Sequence, residues 1–216
     1  MGESSLSDVE LVVRTMAETA VENEKYFGDL DAVVGDGDFG YSMARGFELV
    51  LADFDGFDRT DIGTFLKKIA VVITSRIGGT SGPIWGTAFL RAGVYATGKT
   101  ELSAEDTIAM LRAAIEGIKQ RGQSDLGDKT LLDALVPAVD TLEQSLAEGS
   151  DGKDSLTQAA ATARERAEAT TEMIAKKGRA AYTGERSIGT LDAGAVGVAV
   201  MLERLASVWP SSQKEE

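Results

Sequence analysis

Apolar residues recur every three to four positions along almost the whole chain, and no segment alternates apolar and polar residues over the length of a strand. That period puts each segment's apolar side chains on one stripe of a helix and leaves a sheet with no continuous face to bury. Ile62, Phe65, Leu66, Ile69, Val71, Val72 and Ile73 crowd one side of a helical wheel, with Lys67 and Lys68 opposite. Ile108, Leu111, Ile115 and Ile118 repeat the pattern behind Ser103, which reads as an N-cap with Asp106 three residues on, a variant of the capping box. Leu131, Leu135, Leu142 and Leu146 form a further stripe, kinked at most by Pro137. Between residues 156 and 174 the inward positions are mostly Ala159, Ala160, Ala163 and Ala167, small enough to let neighbouring helices come close. The expectation is an all-α chain with eight helices, near residues 6–26, 41–51, 61–76, 82–95, 103–119, 129–146, 153–177 and 193–209. One domain over residues 1–216 is expected, with 211–216 as a frayed tail.

Composition narrows the chemistry. The 216 residues include no Cys and no His, so thiolate nucleophiles, imidazole bases, phosphohistidine carriers and Cys- or His-ligated metals are excluded. Any bound metal must sit on oxygen. A net charge of −13 argues against a nucleic-acid or anionic-membrane binder, because both need a basic face. An acidic protein that handles phosphate is expected to do so through Mg²⁺. The amino end has no apolar stretch of a secretory signal, and Leu6 fails the myristoylation pattern. No apolar run is long enough to span a bilayer, and the cytoplasm is the expected location.

The glycines cluster at residues 35–40, 78–86, 122–127 and 178–197. Gly-rich turns ahead of helices can cradle phosphate, since backbone N–H groups come close and the helix end is partly positive. Turns and helix C-caps are the plainer reading of any one loop, whereas four loops, three with Asp, Ser or Thr among the glycines, point to a site. In the first, Gly35, Gly37 and Gly40 match the dinucleotide spacing, but no parallel-strand pattern surrounds them. Tyr41 and Phe47 stand where an EF-hand needs Gly and Glu, and Gly152-Lys153 is followed by Asp154, so a Walker loop is absent too. What remains is Asp31, Asp36 and Asp38, three carboxylates within eight residues, whose convergence would call for a divalent cation. Asp29 reads more simply as a solvated turn residue. Gly78-Gly79-Thr80-Ser81-Gly82-Pro83 has the grammar of a phosphate cradle, with Pro83 suited to the first helical position. Arg179 and Arg186 are the natural phosphate partners, or else the partners of a structural carboxylate such as Glu185.

At these residues the chain resembles the L subunit of dihydroxyacetone kinase, equivalently the nucleotide-binding C-terminal domain of single-chain dihydroxyacetone kinases. The matching motifs are Gly35-Asp36-Gly37-Asp38-Phe39-Gly40 with Met43 and Arg45-Gly46, the Gly78–Pro83 run with Gly86, Gly127-Asp128-Lys129-Thr130 with Asp133 and Pro137, and the run from Lys177 to Gly189. The resemblance implies an eight-helix antiparallel barrel with the nucleotide at one end among the interhelical loops. It implies two Mg²⁺ ions on Asp31, Asp36 and Asp38 that bridge to ATP or ADP. Phe39, Gly40 and Tyr41 would border the phosphates, and Ser42, Thr80 and Ser81 would bind them. Gly122, Leu131, Arg179 and the turn Asp192-Ala193-Gly194 would line the nucleoside side. No catalytic residue is expected on this chain, because in this family a histidine on a separate K subunit or domain holds the ketose.

The reading that follows is a kinase subunit of glycerone-kinase type, active with a K subunit, that transfers a phosphoryl group from ATP to dihydroxyacetone, another triose or a tetrulose such as erythrulose. An alternative is a resident, non-exchanging ADP rephosphorylated by a phosphocarrier M subunit. Two departures bear on that choice: Phe39 stands where phosphotransferase-coupled relatives usually have His, and Thr190-Leu191-Asp192-Ala193-Gly194 replaces a His-x-Asp-Pro-Gly turn. A non-enzymatic regulator bound to a transcription factor and a metal-buffering helical protein are the other readings. A homodimer or hetero-oligomer is expected, with no nucleic acid or membrane partner.

Overall fold

The computed structural model describes residues 4–211, so most of the expected tail, 212–216, lies outside the described residues. Among them nine α-helices follow one another: α1 (Leu6–Glu22), α2 (Glu24–Asp31), α3 (Phe39–Ala52), α4 (Ile62–Arg76), α5 (Ser81–Tyr95), α6 (Ala104–Gly122), α7 (Leu132–Ala147), α8 (Gly152–Ala169) and α9 (Ala193–Val208). Short 3-10 turns occupy Phe54–Gly56, Thr170–Glu172 and Arg179–Ser187. The one strand pair among the described residues is β1 (Ser4–Ser5) antiparallel to β2 (Glu101–Leu102), two residues each and too short to show as alternation. No helix among the described residues is long and apolar enough to cross a membrane.

The helical expectation holds, with five local corrections. The first helix divides at Asn23, whose side-chain amide donates to the Thr19 carbonyl at 2.9 Å and competes with the regular ladder, so α2 starts afresh at Glu24. The expected helix from 129 begins at Leu132 instead, because Lys129 takes a left-handed backbone with φ 59°. The expected helix 153–177 ends at Ala169, where the Thr170 hydroxyl donates to the Ala167 carbonyl and the chain tightens into a 3-10 turn. Pro83 is the third residue of α5, still within the turn whose N–H groups have no helical acceptor. Val71 is 66% exposed and falls off the buried stripe of α4, while Ile62, Phe65, Ile69 and Ile73 are fully buried.

Each long helix packs on the next, α1 on α3, then α4, α5, α6, α7, α8 and α9, and α9 returns to α1; α2 lies against α3 and α9. Phe47, Phe65, Met43, Ile69, Ile73 and Val13 fill the main core, and Ile115, Ile118, Leu132, Val136 and Val139 form a smaller one between α6 and α7. Burying a Phe or Ile of this kind stabilises by about 1.5–3 kcal/mol. Short connections make sequential neighbours antiparallel, and the long passage 170–192 also brings α9 back to where α8 ends, since the Gly189 N–H donates to the Thr171 carbonyl and the Asp192 N–H to the Thr170 hydroxyl. The starts of α1, α4, α6 and α8 therefore share one end with the finishes of α3, α5, α7 and α9. At that end β1 pairs with β2, the Ile62 N–H donates to the Lys99 carbonyl at 2.9 Å, and Lys153 reaches Ser211.

The two ends are capped differently. Ser5, Asp61, Ser103 and Asp151 each accept a backbone N–H from three residues on, and Ser5 and Ser103 complete capping boxes with Asp8 and Asp106. At the other end Asp38, Thr80 and Leu131, the N-caps of α3, α5 and α7, make no side-chain cap bond; Asp192 alone caps its helix, accepting from the Ala195 N–H at 2.7 Å. Helix starts left this way keep donors and positive partial charge available.

Candidate functional site

All four glycine-rich loops lie at the sparsely capped end. Asp31 closes α2, the chain turns through 32–37, and Asp38 opens α3. Two glycines make the turn possible by close approach: a Cβ on Gly35 would strike the Asp31 carboxylate, and one on Gly40 would strike the Glu24 carbonyl across the α2–α3 contact. The outcome is that Asp31, Asp36 and Asp38 bring carboxylate oxygens within 4.8 Å of one another. Burial pushes the Asp31 carboxyl up, the N–H groups of Phe39 and Gly37 pull it back, and the charges of Asp36 and Asp38 add to the rise. Three carboxylates gathered on a tight glycine turn suit a hard divalent cation, and all-oxygen donors select Mg²⁺ or Ca²⁺ over softer metals. Asp29 stays outside the cluster and pairs with Lys25 at 2.6 Å on the surface.

The other loops converge on this one. The Ser42 hydroxyl lies 3.5 Å from where a Gly78 Cβ would stand, which joins the second loop to α3. Arg179 reaches across from the fourth loop to pair with both Asp36 and Asp38, the latter at 3.0 Å. Gly122 sits beside Ile84 of α5, and Gly194 sits close against Leu131. Thr80 is exposed and Ser81 half-buried at the start of α5. Phe39 turns inward onto Phe27, with ring centroids 6.0 Å apart, and onto Gly197. Tyr41 is 58% exposed beneath the Arg45 guanidinium. Arg186 is exposed and donates to the Thr183 carbonyl, with no carboxylate partner among the described residues.

Three residues at this end lie in the matched motifs, but the part they play here was not read from the sequence. Lys129 is 2% exposed, and its ammonium donates to the carbonyls of Thr170, Ser187 and Thr190 at 2.6–2.8 Å and of Met173 at 3.3 Å. Desolvation lowers its pKa, and the nearby Asp192 partly restores it. Asp133 is 3% exposed and accepts from the N–H groups of Gly127 and Thr130. Asp192 was expected near a nucleoside, but its electrostatics were not: burial pushes its carboxyl up to about 7, with Asp133 and Asp31 adding to the rise and Lys129 opposing it. Asp192, Lys129 and Asp31 therefore belong to one electrostatic unit. Their only sequence signal was the Gly127–Thr130 run and the Asp192 turn.

The site can thus hold a cation on three carboxylates and present helix starts, hydroxyls and one guanidinium to an anion beside it. Residues 33–207 match the DAK2 domain family. The chain is 39% identical over 182 residues to the PEP-dependent dihydroxyacetone kinase, ADP-binding subunit DhaL of Escherichia coli strain K12, covering 84% of this chain and 87% of that one. It is 35% identical over 187 residues to the PTS-dependent dihydroxyacetone kinase, ADP-binding subunit DhaL of Lactococcus lactis, covering 87% and 89%. The dihydroxyacetone kinase of C. freundii in complex with AMP-PNP and Mg²⁺ superposes with a TM-score of 0.73 at 25% identity over 96% of this chain; the chain spans 35% of the length of that kinase. The chain belongs to the DAK2-domain family and is similar over most of its length to DhaL subunits of dihydroxyacetone kinases.

Proposed function

We propose that this chain is the nucleotide-binding subunit of a dihydroxyacetone-type kinase, holding its nucleotide through Mg²⁺ on Asp31, Asp36 and Asp38. The observation that carries the reading is the three carboxylates gathered beside helix starts that lack side-chain caps. The ring of contacts from α1 through α9 supports an eight-helix antiparallel barrel with α2 as a flanking helix and the nucleotide at one end. Two Mg²⁺ ions on the three aspartates would neutralise phosphate charge. Ser42, Thr80, Ser81 and the backbone at Phe39, Gly40 and Tyr41 then bind and orient the phosphates, while Gly122, Leu131 and the Asp192-Ala193-Gly194 turn flank the nucleoside. Arg179, expected on the nucleoside side, pairs with Asp36 and Asp38, and from there it would orient the terminal phosphate. Positioning and electrostatics supply most of the catalysis in phosphoryl transfer, so a chain without a general base suffices when a K subunit presents the ketose.

Bound ADP that an M subunit rephosphorylates is the better-supported mode, since relatives matched over most of their length are named ADP-binding subunits. Exchangeable ATP is the second reading, favoured by Phe39 and Thr190, which depart from the histidines of phosphotransferase-coupled relatives. Denaturing the purified protein and identifying the released nucleotide, then testing exchange of labelled ATP in Mg²⁺, separates them. Resident ADP that resists exchange supports the first mode and free exchange supports the second. An inability to bind either nucleotide with Mg²⁺ refutes the assignment.

A further inference from the structure

Outside the acidic loop, the most unusual group in the molecule is the ammonium of Lys129. It is buried, it has no carboxylate within ion-pair distance among the described residues, and four backbone carbonyls converge on its three hydrogens. A buried charge is costly unless its partners are fixed, so the arrangement calls for a purpose. Those carbonyls come from two places: Thr170 and Met173 where the chain leaves α8, and Ser187 and Thr190 where it returns to α9. The backbone of Lys129 is itself left-handed, a strained state for a residue with a side chain, and Asp133 holds it by accepting from the flanking Gly127 and Thr130.

We propose that Lys129 is a positioning residue that clamps the neck of the 170–190 segment, so that Arg179 is held over the acidic loop and nucleotide is retained. The neck has three further ties: the Ala175 N–H donates to the Ser187 hydroxyl at 2.9 Å, the Gly189 N–H to the Thr171 carbonyl at 2.7 Å, and the Asp192 N–H to the Thr170 hydroxyl at 3.0 Å. Beyond the neck the contacts are surface ones. Lys176 and Lys177 reach the carbonyls of Gly127 and Gln123, Arg179 reaches Asp36 and Asp38, and Tyr182 stands 90% exposed. Exposed pairs of this sort contribute little, so the buried neck decides whether the tip stays in place. The clamp stands on geometry alone; its effect on retention rests on the nucleotide reading above.

The test is Lys129→Met, which keeps the length of the side chain and removes the cation. Amide hydrogen exchange of residues 176–186 is expected to rise roughly tenfold or more while α4 and α5 change little, because loss of the donor leaves the Met173 and Thr190 carbonyls without their partner and takes one donor from the Thr170 and Ser187 carbonyls, which keep bonds from Met173 and Thr190. Dissociation of a fluorescent ADP analogue, loaded with Mg²⁺, is expected to accelerate by about the same factor, and Lys129→Arg is expected to restore part of both. Unchanged exchange at 176–186 overturns the clamp. Faster exchange with unchanged dissociation overturns its role in retention. Absence of analogue binding by the unaltered protein refutes the nucleotide reading and leaves the exchange result to decide the clamp. If Lys129→Met does not fold, Ser187→Ala tests the same neck: a local rise in exchange of about threefold is expected, and no rise overturns the proposal.

Discussion

The two ends of the helical ring are built from similar helices yet solve the problem of helix starts in opposite ways. At one end Ser5, Asp61, Ser103 and Asp151 satisfy their own helices, and Arg59 saturates itself on Glu10 and the carbonyls of Phe54, Asp55 and Phe57. At the other, three of four N-caps offer no side-chain bond, three carboxylates crowd together, and a lysine is buried on carbonyls. The first arrangement is what folding alone favours. The second gives up local stability at groups a ligand could satisfy, which is what the proposed nucleotide end requires and the closing end does not.

Four substitutions test that contrast. Asp36→Ala, at an exposed position, should weaken Mg²⁺-dependent nucleotide binding about 100-fold while stability stays within ~0.5 kcal/mol. Calorimetric titration and thermal unfolding read the two effects, and a large loss of stability with binding intact would reverse the roles of the ends. Ser103→Ala should lower stability by about 1 kcal/mol, or roughly 2–4 °C in Tm, with nucleotide binding unchanged. Thr80→Ala, at a cap that makes no bond, should change stability by less than ~0.5 kcal/mol and instead weaken nucleotide binding by roughly tenfold; a stability loss equal to that of Ser103→Ala would erase the distinction.

Titration sharpens the same comparison with the smallest effect. Lys99 and Tyr95 hold Asp106, at the closing end, down to about 2. Its contribution is present above the ordinary carboxylate pKa and lost as pH falls through about 2. Asp192 is the reverse case: its folded pKa of about 7 lies above the unfolded value, so the folded chain binds the extra proton. Stability should therefore fall as pH rises from about 4 to about 7. Asp192→Asn keeps a capping oxygen and should flatten that decline in denaturant unfolding measured across the range. An unchanged slope would show that Asp192 is not the group responsible.

The helical stripes, the capping box at Ser103, the alanine face of α8 and the acidic motif at 31–38 were all readable from spacing, because each depends on residues within a turn or two of one another. The break at Asn23, the early end of α8 and the left-handed Lys129 were not. Each is imposed by a local bond or a distant partner that competes with helix periodicity, as when Thr170 gives its carbonyl to a lysine 41 residues away. The residue types at the site were legible; the pairing of Arg179 with Asp36 and Asp38 and the joining of Lys129, Asp133 and Asp192 were not. The sequence by itself determined which segments coil, which face most of them bury, and that any metal must rest on oxygen. Only the tertiary structure decided that four loops meet at one end and which charges share it, because desolvation and pairing act through space between residues far apart along the chain.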